Sequence, residues 1–255
     1  MMKQRLLRHL LVVLLSTAAP IAFAANEGTA VGVNPDAVAQ VNATDRILHV
    51  GADVSVGELI VTGSAGQVQI IFDDNTRLVV GPRSRLLIET YLMADANTAQ
   101  QLTINALGGS FRFITGNSPK PAYSIKTPTA SIAVRGTEFD IISQARSTKV
   151  MLYEGALQIC SAGGACEELT RTCEVGVVTR TDADLFLRNS PGRAPLSLEF
   201  RYAQFQSGLM APFRVNSPAR CVEAPMPEAN SGSSDVPATP TPTPPPPVIR
   251  GGGKI

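Results

Sequence analysis

The sequence predicts an all-β protein, a sandwich or roll, on three observations. Apolar and polar residues alternate over short runs, the period of a half-buried strand. Glycine-rich corners and Asp/Asn turns recur at intervals of about ten to fifteen residues, as in sandwiches and barrels. No long stretch carries the 3.6-residue period of an amphipathic helix. With 5% aromatic residues and no Trp, the core must be filled by Val, Ile and Leu.

The chain opens on an expected secretory signal, Met1 to Ala24. Lys3, Arg5 and Arg8 precede a short apolar core, Leu10 to Leu15, and Ala22-Phe-Ala24 has the form of a cleavage site. The core is too short to span a bilayer, and it breaks at Ser16 and Pro20. Taking its three basic residues from 22 leaves 19 against 21 acidic, a mature net charge of about −2. Such a balance offers no basic face for nucleic acid. No later apolar run reaches membrane-spanning length, so no transmembrane span is expected. Residues 25–45 are polar, with a turn at Gly32-Val-Asn-Pro35, and read as a loose lead-in or an early strand.

From Ile47 short strands and turns alternate. Leu48–Asp53, Glu58–Thr62 and Gln67–Phe72 are the first candidates, and in the third Val68, Ile70 and Phe72 share a face. Asp73-Asp-Asn-Thr76 reads as a hairpin loop, because Asp and Asn side chains bond nearby backbone. Arg77–Val80 returns, Gly81-Pro82 turns, and Leu86–Ile88 follows. Leu92–Ala99 reads as a loop, with strands Gln101–Leu107 and Ser110–Thr115 on either side of Gly108-Gly109. Val150–Tyr153 and Ala156–Cys160 read as a hairpin about Glu154-Gly155.

The central stretch is Tyr123 to Ile142, two extended arms around Arg135-Gly136-Thr137. Ile132 and Val134 alternate with Ser131, Ala133 and Arg135, and Phe139 and Ile141 resume the pattern. Gly136 supplies backbone freedom for a bend, and Pro128, with no amide donor, suits a strand start or edge. These two are structural candidates; Arg135 and Thr137 are the candidate interaction residues, against a plain reading of Arg135 as a solvated charge.

Three stretches carry a family resemblance. Thr127 to Phe139 resembles the signature of the FecR domain, a β-rich bacterial periplasmic module. Asp74-Asn-Thr-Arg-Leu-Val-Val-Gly-Pro-Arg-Ser-Arg-Leu-Leu-Ile-Glu89 resembles its "DGT-x-L-x-L-x-P-N-S-x-L-x-I" hairpin. Leu107 to Gly116 resembles its "L-x-G-x-x-R" strand. The resemblance covers residues 46–160 and implies a jelly-roll-like β sandwich in a Gram-negative periplasm or outside the cell. FecR itself relays iron-siderophore occupancy of an outer-membrane transporter to a sigma factor, which needs a membrane helix that this chain's pattern lacks.

Beyond residue 160 an extension to residue 224 is expected. Its features are a short helix over Leu196–Phe205 and the cysteines Cys166, Cys173 and Cys221, which join Cys160. An even count in an exported chain favours two disulfides over zinc, whose tight ligand pairs are missing. Three pairings are possible. The turn at Ser161-Ala-Gly-Gly164 most simply brings Cys160 to Cys166, leaving Cys173 for Cys221, a long loop worth about 3–4 kcal/mol. Residues 225–255, with Pro-Thr repeats and a proline run, read as a disordered tail.

Catalytic chemistry has little to work with. One histidine, His49, remains in the mature chain, so neither a multi-histidine metal site nor any cofactor is expected. Asp73-Asp74 is a carboxylate pair in a turn, and Asp182-x-Asp184 lacks the further oxygens of a calcium loop. The expected function is therefore non-enzymatic: an interaction or ligand-binding module for an envelope protein or polymer. The alternatives are a signalling accessory acting through a separate membrane partner and, last, a hydrolase using Asp73, Asp74 or His49.

Overall fold

The computed structural model describes residues 27–216 and 218–222. The expected signal and the proline-rich tail lie outside these residues.

The strands fall into two sheets, and the chain winds between them. β1 (Gly28–Asn34) lies in the first sheet, and β2 (Ala37–Val41) and β3 (Thr44–Ile47) pair in the second. β4 (Ala52–Val54) returns to the first and β5 (Leu59–Thr62) to the second. β6 (Gln67–Phe72) and β7 (Arg77–Val80) form a hairpin in the first. β8 (Arg85–Met93) pairs in the second with the opening part of β9 (Ala99–Ile114). β10 (Tyr123–Lys126) and β11 (Ala130–Val134) belong to the second sheet, β12 (Glu138–Ser143) and β13 (Thr148–Glu154) to the first. β14 (Leu157–Ser161) and β15 (Cys166–Leu169) close the second; β16 (Val175–Val178) and β17 (Ala183–Phe186) close the first. All pairings are antiparallel except β9 with β10.

β9 joins the sheets. Its first part pairs with β8 and β10, and its last part with β7 and β12. The change falls at Gly108-Gly109. Gly109 has φ of 112°, and a Cβ there would lie 2.1 Å from Ser84 Oγ. The two strands expected on either side of this pair are thus one continuous strand, because glycine lets the backbone bend without ending it.

The sandwich core lies between the sheets. It draws Ile60, Leu86, Ile104 and Ile132 from the second and Ile70, Phe72, Leu78, Phe113, Phe139 and Leu152 from the first. β13 is buried on both faces. Val150 and Leu152 enter this core, while Met151 and Tyr153 face outward and pack with Phe200, Ala203, Val215 and Cys221. That double burial explains an apolar run without polar alternation. Cys173–Cys221 and Cys160–Cys166 are the two disulfides, the second directly across the β14–β15 hairpin.

Several expectations change. Of the two readings of residues 25–45, the early strand holds for Gly28–Asn34 and Ala37–Val41, one in each sheet, and the loose lead-in does not. The span from Leu48 to Gly51 is a turn between β3 and β4, with Gly51 at φ of 85° and His49 exposed. The Leu92–Ala99 loop shrinks to residues 94–98, where the Asp95 carboxylate accepts from the amides of Asn97 and Thr98. β13 and β14 are not a hairpin; Gly155, at φ of 83°, carries the chain from one sheet to the other. The sheets continue past residue 160 to Phe186. The single helix over 196–205 is two short pieces, α1 (Arg193–Ser197) and α2 (Arg201–Gln204). Phe200, extended at ψ of 95°, separates them, with its ring buried beside Cys173 and Cys221.

Residues 193–216 and 218–221 cover the outward face of the first sheet. They dock on polar side chains that strand alternation alone would send to solvent. The Tyr202 hydroxyl donates to Gln67, the Met210 amide to Gln69, and Arg77 to the Pro212 carbonyl. Lys149 pairs with Glu199, and Arg193, fully buried, donates to the carbonyls of Cys173 and Cys221.

Candidate functional site

Two sheet-crossing corners stack against each other at one end of the sandwich. The first is Arg135-Gly136-Thr137, between β11 and β12; the second is Gly155-Ala156, between β13 and β14. The Arg135 amide donates to the Ala156 carbonyl at 2.9 Å. Thr137 is fixed to the end of β9, its amide donating to Thr115 Oγ1 and its carbonyl accepting from the Thr115 amide. Gly136 has φ of 72°, yet the only atom a Cβ there would meet within 4 Å is Lys120 Cε, at 4.0 Å. Gly155 is the crowded member: its Cβ would lie 1.9 Å from the Gly136 carbonyl oxygen. The close backbone approach therefore belongs to Gly155, and Gly136 borders open space.

Next to this corner is a cleft of about 580 Å³ lined by Lys120, Pro121, Tyr123, Ala133, Val134 and Arg135. Lys120 comes from a 3-10 turn, Lys120–Ala122, that leads into β10. The Arg135 side chain is 59% exposed and touches Glu168 of β15 through one contact of 3.3 Å. Lys120 has no ion-pair or hydrogen-bond partner among the described residues. The cleft is open to solvent and cationic on two sides.

Two further polar clusters are sealed. Asp74, fully buried, accepts from the Thr76 amide and from the hydroxyls of Thr76 (2.9 Å), Ser118 (2.5 Å) and Tyr123 (2.9 Å). Its own amide donates to the Tyr91 hydroxyl. Burial pushes both phenols up, and the Asp74 charge adds to the effect. The other cluster lies on the outward face of the first sheet. Arg112, fully buried, makes a two-pronged pair with Asp140, at 2.6 and 2.9 Å. The Tyr153 hydroxyl donates to Asp140 at 2.7 Å, and Arg112 donates to Gln206 at 2.7 Å. The guanidinium sits 5.1 Å from the Tyr153 ring centre and 5.5 Å from that of Tyr202. Burial, the largest single effect, would push Arg112 down, but the charge and hydrogen bonds of Asp140 together with Tyr153 outweigh it and hold the guanidinium above its ordinary value.

Residues 58–158 match the family described as FecR protein. The chain contains a FecR domain. No curated protein matches the chain. Two crystal structures of a "putative anti-sigma factor" from Parabacteroides distasonis are similar, each at 14% identity. They cover 55% of this chain with TM-scores of 0.40 and 0.41. This chain spans 64% and 63% of their length, and likeness at that level carries no argument about function.

The FecR domain thus runs from the start of β5 into β14, while β1–β4 and β15–β17 extend the same two sheets beyond it. Of the residues singled out in its signature, Arg135 lines the cleft and Gly136, beside it in the chain, is exposed. Thr137 does not reach the surface: it is 1% exposed and packs inside the corner. Its Oγ1 has no partner among the described residues. Pro128 sits exposed in the turn between β10 and β11, where the Thr127 amide donates to the Ala130 carbonyl and the missing proline donor is not needed. His49 lines a separate cleft of about 400 Å³ with Arg46, Asp53 and Glu58. Lys120 had no sequence signal, because it reaches the corner only through folding. No cluster of His, Cys, Asp and Glu suited to a metal occurs among the described residues.

Proposed function

We propose that this protein is an exported, non-enzymatic interaction module whose FecR domain recognises an envelope partner at the corner cleft. One observation carries the reading. The signature ends in an open cleft with under-used cations, whereas Asp74, the buried member of the chain's carboxylate pair, already accepts four hydrogen bonds within the fold. That carboxylate is fully buried and committed to the fold's own donors, so it does not face a substrate. Disulfide bonding of all four cysteines supports an oxidising compartment, periplasmic or extracellular.

A second reading, an accessory of envelope signalling, draws on the FecR domain. It needs a separate membrane partner, since no helix among the described residues is long and apolar enough to cross a membrane.

A pull-down from envelope extract tests both. Wild-type protein should retain a partner and Arg135→Ala should lose it at an unchanged melting temperature. A membrane sensor among the retained proteins would favour the signalling reading. Equal retention by both proteins, or none by either, would overturn the assignment to this cleft.

A further inference from the structure

We infer that the corner cleft is a carboxylate receptor and that its ligand is an acidic peptide segment of a partner protein. The inference rests on the reading above and names the chemistry of its ligand.

Three features converge there. Arg135 presents a mostly exposed, planar guanidinium, the side chain best matched to a carboxylate, and Lys120 supplies a second positive charge from another segment. Between them lies bare backbone. Gly136 is an exposed residue with no side chain, sits at φ of 72°, and its amide has no acceptor among the described residues. With no Cβ at Gly136, a ligand has room to approach the backbone beside the two cations.

The fold already shows what this guanidinium takes. Glu168 sets its carboxylate on Arg135 from β15, by one contact of 3.3 Å between half-exposed groups. So long and exposed a pair is weak and displaceable. Glu168 is thus an internal stand-in for the ligand carboxylate, and it competes with it.

The walls favour a peptide over an anionic glycan or nucleotide. Tyr123 is the one aromatic residue of the lining, and it is 3% exposed, so no ring is offered for stacking. Pro121 and Ala133 instead give small apolar surfaces for the stems of Glu or Asp side chains. The mature chain is slightly acidic, 19 basic against 21 acidic residues, so general attraction would not mimic specific binding of an acidic peptide.

The test is fluorescence anisotropy of a labelled decaglutamate peptide with the purified protein at low and moderate salt. Lys120→Ala and Arg135→Ala should each weaken binding about three- to tenfold, and Glu168→Ala should tighten it about two- to threefold by freeing Arg135. A merely structural Arg135–Glu168 bridge would give loss in both of its variants. Arg135→Gln, which keeps length and polarity, guards against a folding artefact. Excess decaglutamate should displace the label, whereas polygalacturonate and inorganic phosphate should not. Binding that ignores Lys120→Ala and Arg135→Ala, or displacement by polygalacturonate as strong as by the peptide, overturns the inference. Should the envelope partner still depend on Arg135 while decaglutamate fails to bind, the interaction site stands and the acidic-peptide ligand falls.

Discussion

The two sealed clusters solve the same problem in different ways. Each buries a carboxylate completely or almost so. Asp74 is satisfied by neutral donors: the amide and hydroxyl of Thr76, two residues on, and the hydroxyls of Ser118 and Tyr123. Asp140 is satisfied by a cation, Arg112, and by Tyr153, and that cation in turn leans on Gln206 from the covering segment. Hydroxyl donors can rotate to new acceptors or to water. A buried guanidinium cannot lose its charge, so its partner is not optional.

That contrast can be broken most sharply at Asp140. Asp140→Ala leaves Arg112 buried and unpaired, and should cost about 3–5 kcal/mol in urea unfolding. Pairing it with Arg112→Met should restore much of the loss, since an apolar replacement of both partners removes the stranded charge. If the single variant unfolds no more easily than wild type, Arg112 is not held as described.

Asp74→Ala should be milder, about 1–3 kcal/mol, because it strands the Thr76 amide but leaves hydroxyls able to turn elsewhere. A loss equal to that of Asp140→Ala would erase the distinction between neutral and charged solutions.

Alkaline titration reads both clusters together. The chain's four tyrosines are Tyr91, Tyr123, Tyr153 and Tyr202, and burial raises every one above the ordinary 10.0. The fold therefore holds these protons more tightly than the unfolded chain does. The resulting stability is complete below pH 10 and declines as pH rises past it. Tyrosinate absorbance should lag that of urea-unfolded protein and then appear together with loss of the circular-dichroism signal. Early ionisation of one or two tyrosines in intact protein would show an open cluster.

The smallest effect should come from the hairpin that carries Asp74. Asn75 and Arg83 stand where the family pattern has Gly and Asn, and both adopt positive φ, 65° and 53°. Asn tolerates that region; arginine does not. Arg83→Gly should stabilise the protein by about 0.5–1 kcal/mol, visible as a shifted urea midpoint. A fall in the midpoint would mean that the exposed arginine makes contacts that outweigh its backbone strain.

The all-β class was legible before folding, and so was much of the local detail. β6 and β7 match their predicted spans because one face of β6 alternates cleanly and an Asp-Asn turn joins them. The Cys160–Cys166 bridge was favoured by a glycine turn between near neighbours, and Cys173–Cys221 followed from it. These are short-range matters, governed by a few residues' own conformational preferences.

Which sheet each strand joined was not legible. A glycine corner looks alike whether it closes a hairpin or crosses the sandwich, and so β13 and β14 read as partners. Arg112 lies between Phe111 and Phe113 and has the alternation of a solvent-facing residue. Only the arrival of Tyr202, Gln206 and Phe213, about a hundred residues later, buries it. The cleft was half visible, through Arg135. Lys120 completes it from a turn whose position depends on β10 running beside β9. Period and turn chemistry are properties of neighbours in the chain, whereas burial of an outward face is decided by whatever later segment comes to cover it.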